Sequence, residues 1–303
     1  MKLVSFYDII DRQGRDTMEL IYRVKKPETI QRFMQENNIP AKILEMVENH
    51  PRIEVNGKLK QRKETVKKNE KIHFFVKDEN RDPKVKPQDL GLNVVYEDPY
   101  LMIINKPENM QMMISKAHMT NTLANAINYY YESNGINADI HFVTKLDREA
   151  SGLIVVAKHK FIRYLLSNSN DNSITYYLKA IVEGKLDVKE NSIPLPISRM
   201  EGSIRREIAE DGEECSTNYK VIKEFGNYSL VDIWIKNKLA HQIRVHFSFF
   251  TWPIVGDKIY GKQDDNELML YCYKMDFIHP ITEEQINFVL REPEYFRKFL
   301  ERK

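Results

Sequence analysis

The chain has 303 residues, roughly twice the usual length of one domain, and 42% hydrophobic against 30% charged residues is the composition of an ordinary globular protein. The formal charge is only +2, and the two cysteines, Cys215 and Cys272, stand far apart with no Cys-x-x-Cys, so neither a disulfide framework nor a thiolate zinc site can be built. Asp8 interrupts the first apolar run, and the longest uncharged apolar stretch, Phe247 to Gly256, is too short for a bilayer, so a cytoplasmic protein without a membrane anchor is expected.

The net charge hides a local asymmetry. Between Ile21 and Lys77 stand 14 Lys and Arg against 7 Glu. Within that stretch Ile30, Phe33 and Met34 recur at helical spacing over Glu28 to Asn38, and Pro40 opens a second amphipathic stretch with Ile43, Leu44 and Val47, so two short helices are expected. Arg52 to Leu59 alternates into Asn56-Gly57, a strong hairpin signal, and Lys71 to Val76 supplies a further strand. Residues 1–78, with a core over about 21–77, thus read as a small basic α/β domain. The charged segment 79–90, with two prolines and little to bury, reads as an exposed linker. From 91 to 303 many short β-rich runs alternate with helical stretches near Asn121 to Tyr131, His159 to Leu166, Gln242 to Phe250 and Glu292 to Glu301. The absence of a regular βαβ repeat points to an α+β domain around a mixed or antiparallel sheet.

With 11 glycines and no Gly-x-Gly, the dinucleotide fingerprint and the kinase glycine loop are excluded. Gly256 to Gln263 fits Gly-x-x-x-x-Gly-Lys, but Gln263 stands where a P-loop needs Ser or Thr, and Asp257 would repel phosphates. His241 and His246 lie five apart, and no His-Glu-x-x-His occurs, so no metal and no cofactor are expected. Attention falls instead on residues 144–158, where Asp147 stands between Lys145 and Arg148 at the mouth of the apolar run Leu153 to Ala157. A carboxylate held ionised there by cations fits a nucleophile or base, and equally a turn aspartate paired with its neighbours. Arg244, amid apolar residues, either needs a buried partner, for which Asp147 is a candidate, or snorkels from an amphipathic helix.

Beyond these residues an ordered series of motifs resembles the RluA-type pseudouridine synthases, the RluD-like members among them. It comprises YEDPYLMIINKP (96–107), NTLANAI (121–127), TKLDREASGLIVVAK (144–158), YYLKAIVEG (176–184), PISR (196–199), CSTNY (215–219), AHQIRVHF (240–247), WPIVGDKIYG (252–261) and FIHP (277–280). The basic N-terminal unit is similar to the S-four-like RNA-binding domain that often precedes such a catalytic domain. The resemblance implies an enzyme that detaches a uridine base in RNA, rotates it and rejoins it through carbon, with no metal or cofactor. Asp147 would be the catalytic carboxylate, acting by attack at C1′ or by proton abstraction from the neighbouring carbon. Arg244, Lys145, Arg148, His241 and Gln242 would support it and hold base and RNA. The family's active-site tyrosine falls on Leu178 in register, or on Tyr177 after a one-residue slip, and the paired tyrosines 176 and 177 favour the slip. Arg32, Lys42, Arg52 and Lys58 would grip RNA from the N-terminal domain. Ribosomal RNA is the expected partner and a monomer the expected state. Departures at Thr144-Lys145, Ala150 and Lys238-Leu239-Ala240 carry a second expectation, a family member with a drifted pocket that acts as an RNA-binding or ribosome-assembly protein.

Overall fold

The computed structural model describes residues 19–76, 81–168, 174–236 and 238–302. The chain divides into two units. One runs to Asp82 and takes in Gly135–Asp139 and His159–Phe161, and the other holds Pro83–Asn134, Ile140–Lys158 and Ile162–Lys303. The expected boundary at residue 78 lies outside the described residues.

In the first unit an antiparallel sheet runs in the order Glu19–Arg23, Lys71–Phe75, Ile53–Val55, Lys58–Leu59. Asn56 and Gly57 both take positive φ, 53° and 74°, the turn geometry that matches strand twist in a two-residue hairpin. A single helix, Ile30–Glu36, is capped by the Thr29 side chain, which accepts from the Arg32 N–H. Its buried face, Ile30, Phe33 and Met34, lies on the sheet, with Phe33 edge-on to Tyr22 and stacked on Phe74. The second expected helix is absent. Only one 3-10 turn forms, Ala41–Ile43, after which Met46–Val47 pairs with His50–Pro51 across Glu48 and Asn49 at positive φ. The Glu45 N–H bonds the Phe75 carbonyl and Leu44 bridges Val76, so the chain after the turn runs extended beside the end of the Lys71–Phe75 strand.

The second unit is built on a ten-stranded sheet whose main path runs Glu190–Ile193, Thr217–Phe225, Tyr228–Lys236, Thr175–Glu183, Leu270–Ile278, Ser151–Ala157, Leu101–Lys106, Val94–Glu97. Every ladder is antiparallel except that between Ser151–Ala157 and Leu270–Ile278. Ser151–Ala157 is buried along its whole length, as a central strand of seven apolar or small residues must be. The helices are Leu123–Ser133, Lys160–Asn168, Gln242–Phe249 and Glu294–Glu301, close to the expected stretches, and the architecture is the mixed α+β one expected. Thr122 opens the first of them through a reciprocal capping box with Asn125. Residues 85–88 are no free linker: Asn128 and Asn125 side-chain amides bond the carbonyls of Val85 and Lys86, and Val85 is buried. Among the described residues no helix is long and apolar enough to cross a membrane.

Two glycines let backbone approach backbone beside the eventual site. Gly152, at φ +113°, lies on the parallel ladder, where a Cβ would run into the Cys272 carbonyl oxygen; Gly256, at φ +76°, faces the Glu267 carbonyl in the same way. Gly152→Ala should therefore cost about 3 kcal/mol or more, read as a lowered denaturation midpoint, because neither the backbone nor the parallel partner can yield. A melt unchanged from wild type would show that the ladder is slack.

Candidate active site

Asp147 sits in the loop between His141–Phe142 and the central strand Ser151–Ala157, and the loop is fixed from three sides. The Thr144 hydroxyl accepts from the Val155 N–H at 2.7 Å. Leu146 N–H points to the Met112 sulfur. Lys106, fully buried, donates to three carbonyls, those of Pro107, Met110 and Arg148, at 2.8, 2.9 and 3.0 Å. Burial presses the Lys106 ammonium down to about 8, against the opposing pull of Asp147, Glu149 and Glu108.

The cations that face Asp147 come from far along the chain. Arg244 Nη1 donates to its carboxylate at 3.2 Å and Lys238 Nζ lies 3.7 Å away, with the three side chains 8%, 1% and 5% exposed respectively. Burial pushes the Asp147 carboxyl up, but Lys238 and Arg244 outweigh it and hold the group down to about 2. The sequence neighbours Lys145 and Arg148 are both exposed, so they are not the partners expected. In a loop whose backbone is pinned at 144, 146 and 148, the adjacent side chains turn outward.

Arg244 spends most of its fork elsewhere. Its Nε and Nη2 bond both oxygens of the wholly buried Asp257, at 2.8 and 2.7 Å, and its Nη1 also reaches Glu149 at 3.4 Å. This bidentate geometry is what a planar guanidinium offers and an ammonium does not. Asp257 also accepts the N–H groups of Ile259 and Tyr260, which fixes the loop that carries it.

The helix bearing Arg244 begins at His241, a non-glycine residue at φ 58°. Gln242 braces that start: its oxygen accepts from the Leu239 N–H and its amide donates to Ser216 and Thr217. His241 Nδ1 meets the Tyr260 hydroxyl at 2.9 Å, and burial, with Arg244 and Lys238 nearby, lowers its pKa despite Asp147 and Asp257. The neighbouring Cys215–His246 contact, 3.6 Å, is no nucleophile pair, because burial pushes the thiol up to about 11.

The expected strand slip does not occur. Tyr177 pairs with Trp234 and Lys274, and its ring lies near Tyr273 and under the Lys274 ammonium. The bulge falls on the partner strand at Tyr273, leaving Thr175–Glu183 in even alternation. Leu178 is buried opposite Cys272, with Tyr176 two residues along on the same face. In the other unit Arg32 pairs with Glu36, and Arg52 is held by Glu45 and Glu54 against the Phe75 ring, whereas Lys42 and Lys58 are exposed. Among the described residues no three His, Cys, Asp or Glu side chains cluster to hold a metal.

Residues 100–249 match the RNA pseudouridylate synthase family model. The uncharacterized RNA pseudouridine synthase YhcT of Bacillus subtilis is 33% identical over 243 residues, which cover 78% of this chain and 80% of that one. YjbO of the same organism is 29% identical over 82% of this chain and 89% of its own. The ribosomal large subunit pseudouridine synthase D of Zymomonas mobilis is 31% identical over 69% and 71%. In fold the chain is similar to the human RNA pseudouridylate synthase domain containing 4, with TM-score 0.57 and 20% identity over 69% of this chain and 92% of that one. The chain belongs to the RluA-type RNA pseudouridine synthase family and is an RNA pseudouridine synthase.

Sequence reasoning missed Lys238, Asp257, Lys106 and Tyr260 as site residues. Three of them, Lys106, Asp257 and Tyr260, lie in quoted motifs, and the repulsion attributed to Asp257 was the signal: a carboxylate after an obligatory glycine needs a cation. Asp257→Ala should leave Arg244 buried without its main partner and cost about 3–5 kcal/mol in chemical denaturation, far more than a surface carboxylate would. A loss under 1 kcal/mol would mean that Asp147 and Glu149 can carry the arginine alone.

Proposed function

We propose that this enzyme isomerises specific uridines in ribosomal RNA, with Asp147 as the carboxylate acting at the ribose. The observation that carries this reading is the state of Asp147: shielded from water, ionised, and faced by Arg244 and Lys238. Such a group can attack C1′ or take a proton from the neighbouring carbon without first having to lose a proton itself. Because the glycosidic bond is inaccessible in stacked RNA, the target nucleotide has to be flipped into the pocket. The exposed Lys145 and Arg148 beside the loop are suited to the phosphates on either side of it. Ribosomal RNA is favoured because relatives named for the large ribosomal subunit align over most of this chain.

The N-terminal unit, read as an S-four-like domain over 1–78, supplies non-specific grip. Lys42 and Lys58 are exposed on it, whereas Arg32 and Arg52 already serve local carboxylates. One observation favours a second reading, a slow or lapsed enzyme that binds RNA: buried Leu178 presents no aromatic face or hydroxyl toward a flipped base. Stacking of that kind is worth about 1–3 kcal/mol in single-strand binders, enough to slow turnover without ending it.

Asp147→Asn should fold and bind RNA as the wild type does while forming no pseudouridine, measured on transcripts of the ribosomal RNA whose uridines are mapped in a strain lacking the gene and in its parent. Wild-type turnover in that variant would remove Asp147 from the chemistry. Removal of residues 1–78 should weaken RNA binding and flatten the dependence of log K on log salt. An equal slope with and without the unit would deny it a role in grip.

A further inference from the structure

Tyr260 is tied to the catalytic region by contacts that the proposed chemistry leaves unexplained. Its hydroxyl lies 2.7 Å from the backbone N–H of Arg206 and 2.9 Å from His241 Nδ1. A backbone N–H can only donate, so one oxygen lone pair is taken, and the single phenolic proton is free to be donated to Nδ1. Two guanidinium groups flank the ring: Arg205 and Arg244 stand 5.5 and 5.6 Å from its centroid. The imidazole meets it edge-on, at 82° and 5.6 Å.

His241 shows the complementary signs. As the N-cap of the Arg244 helix it makes no side-chain cap bond, and its backbone is held at φ 58°, a conformation that costs energy in a non-glycine residue. Its side chain is turned away from capping and toward Tyr260. The groups acting on the imidazole are Asp147, Arg244, Lys238, Asp257 and the Tyr260 hydroxyl, and Arg205 and Arg206 reach it through Tyr260.

We propose that Tyr260 is a positioning residue that holds His241 as the neutral imidazole protonated on Nε2 beside Asp147, anchored on its other side to the Arg206–Ile208 strand. The inference rests on the reading of Asp147 as the acting carboxylate. A neutral imidazole adds no third cation to the two already facing Asp147 and keeps one N–H available as a hydrogen-bond donor. An accepted hydrogen bond at Nδ1 favours the neutral ring, in the same direction as burial and the two neighbouring cations.

The test uses the full-length protein. Side-chain nitrogen–proton correlation spectra, with His241 assigned through a His241→Gln sample, should show Nε2 protonation alone at neutral pH. In Tyr260→Phe both tautomers should appear and the His241 titration should move up by about half a pH unit. On substrate RNA that variant should lose about fivefold to tenfold in kcat. KM should stay within about twofold, and the acid limb of the rate profile should rise with the titration. Protonation on Nδ1 in the wild type overturns the proposal, and so does a Tyr260→Phe protein whose His241 titration or kcat is unmoved. Should Tyr260→Phe fail to fold, the wild-type tautomer decides alone. An active Asp147→Asn would end the reading of Asp147, yet the tautomer and titration would still judge the link between Tyr260 and His241.

Discussion

Arg244 is the interaction on which the rest of the centre depends. A buried guanidinium is tolerated only where its donors find acceptors, and this one binds Asp257 with two donors and touches Asp147 and Glu149 with a third. The demand spreads outward. Asp257 must follow a glycine that can bring its loop against Glu267, and the Arg244 helix must start at a strained His241 that Gln242 locks to Ser216 and Thr217. Asp147 must be delivered from the opposite side by a loop pinned through Lys106 and Thr144. Three separate chain segments thus converge on one planar cation, a task for which a lysine lacks the directional donors.

Position follows from the sheet. The parallel ladder between Ser151–Ala157 and Leu270–Ile278 sets the mouth of the central strand beside Cys272, and Gly152 allows the close approach. The two antiparallel ladders flanking Thr175–Glu183 hold its alternation, so Leu178 and Tyr176 share the inner face while Tyr177 stays with Tyr273 and Lys274. Paired on both sides, this strand cannot slip by one residue without reversing every buried position from Tyr176 to Ala180. Adjacent tyrosines in the sequence carry no information about that constraint, whereas two neighbouring ladders do.

What could be read in advance was what local chemistry decides. Asn56-Gly57 announced its hairpin because two consecutive positive φ angles select those residues, and the stretch from Asn121 to Tyr131 announced a helix that the Thr122 capping box then starts. Asp147 and Arg244 stood out because charged residues amid apolar runs need partners. The unread part depended on contacts between distant segments. Ile43, Leu44 and Val47 have helical spacing, yet the Phe75 carbonyl accepts from the Glu45 N–H and Met46–Val47 pairs with His50–Pro51, and this pairing overrides the period. Lys145 and Arg148 are near Asp147 in sequence but exposed, whereas Lys238, 91 positions away, lies against it. A loop fixes its backbone direction through its own carbonyls, so sequence proximity to a carboxylate does not predict which cation faces it.

The division of Arg244 between two carboxylates bears on how the proposed chemistry can proceed. Asp257 receives the two short bonds, 2.7 and 2.8 Å, together with two backbone N–H groups on Oδ1. Asp147 receives one bond of 3.2 Å from Arg244 and the field of Lys238 at 3.7 Å. Charge is therefore neutralised at Asp147 with little direct hydrogen bonding. A carboxylate saturated with donors would be stable but poor as a base or nucleophile, and one buried without cations would take up a proton. Between those extremes, Asp147 stays ionised with oxygen lone pairs still open to a reacting atom. Had the arginine presented its fork to Asp147, the same charge would have been held in place and chemically silenced. The division of labour leaves structural anchoring to Asp257 and keeps the Asp147 oxygens open, as the proposed action at the ribose requires.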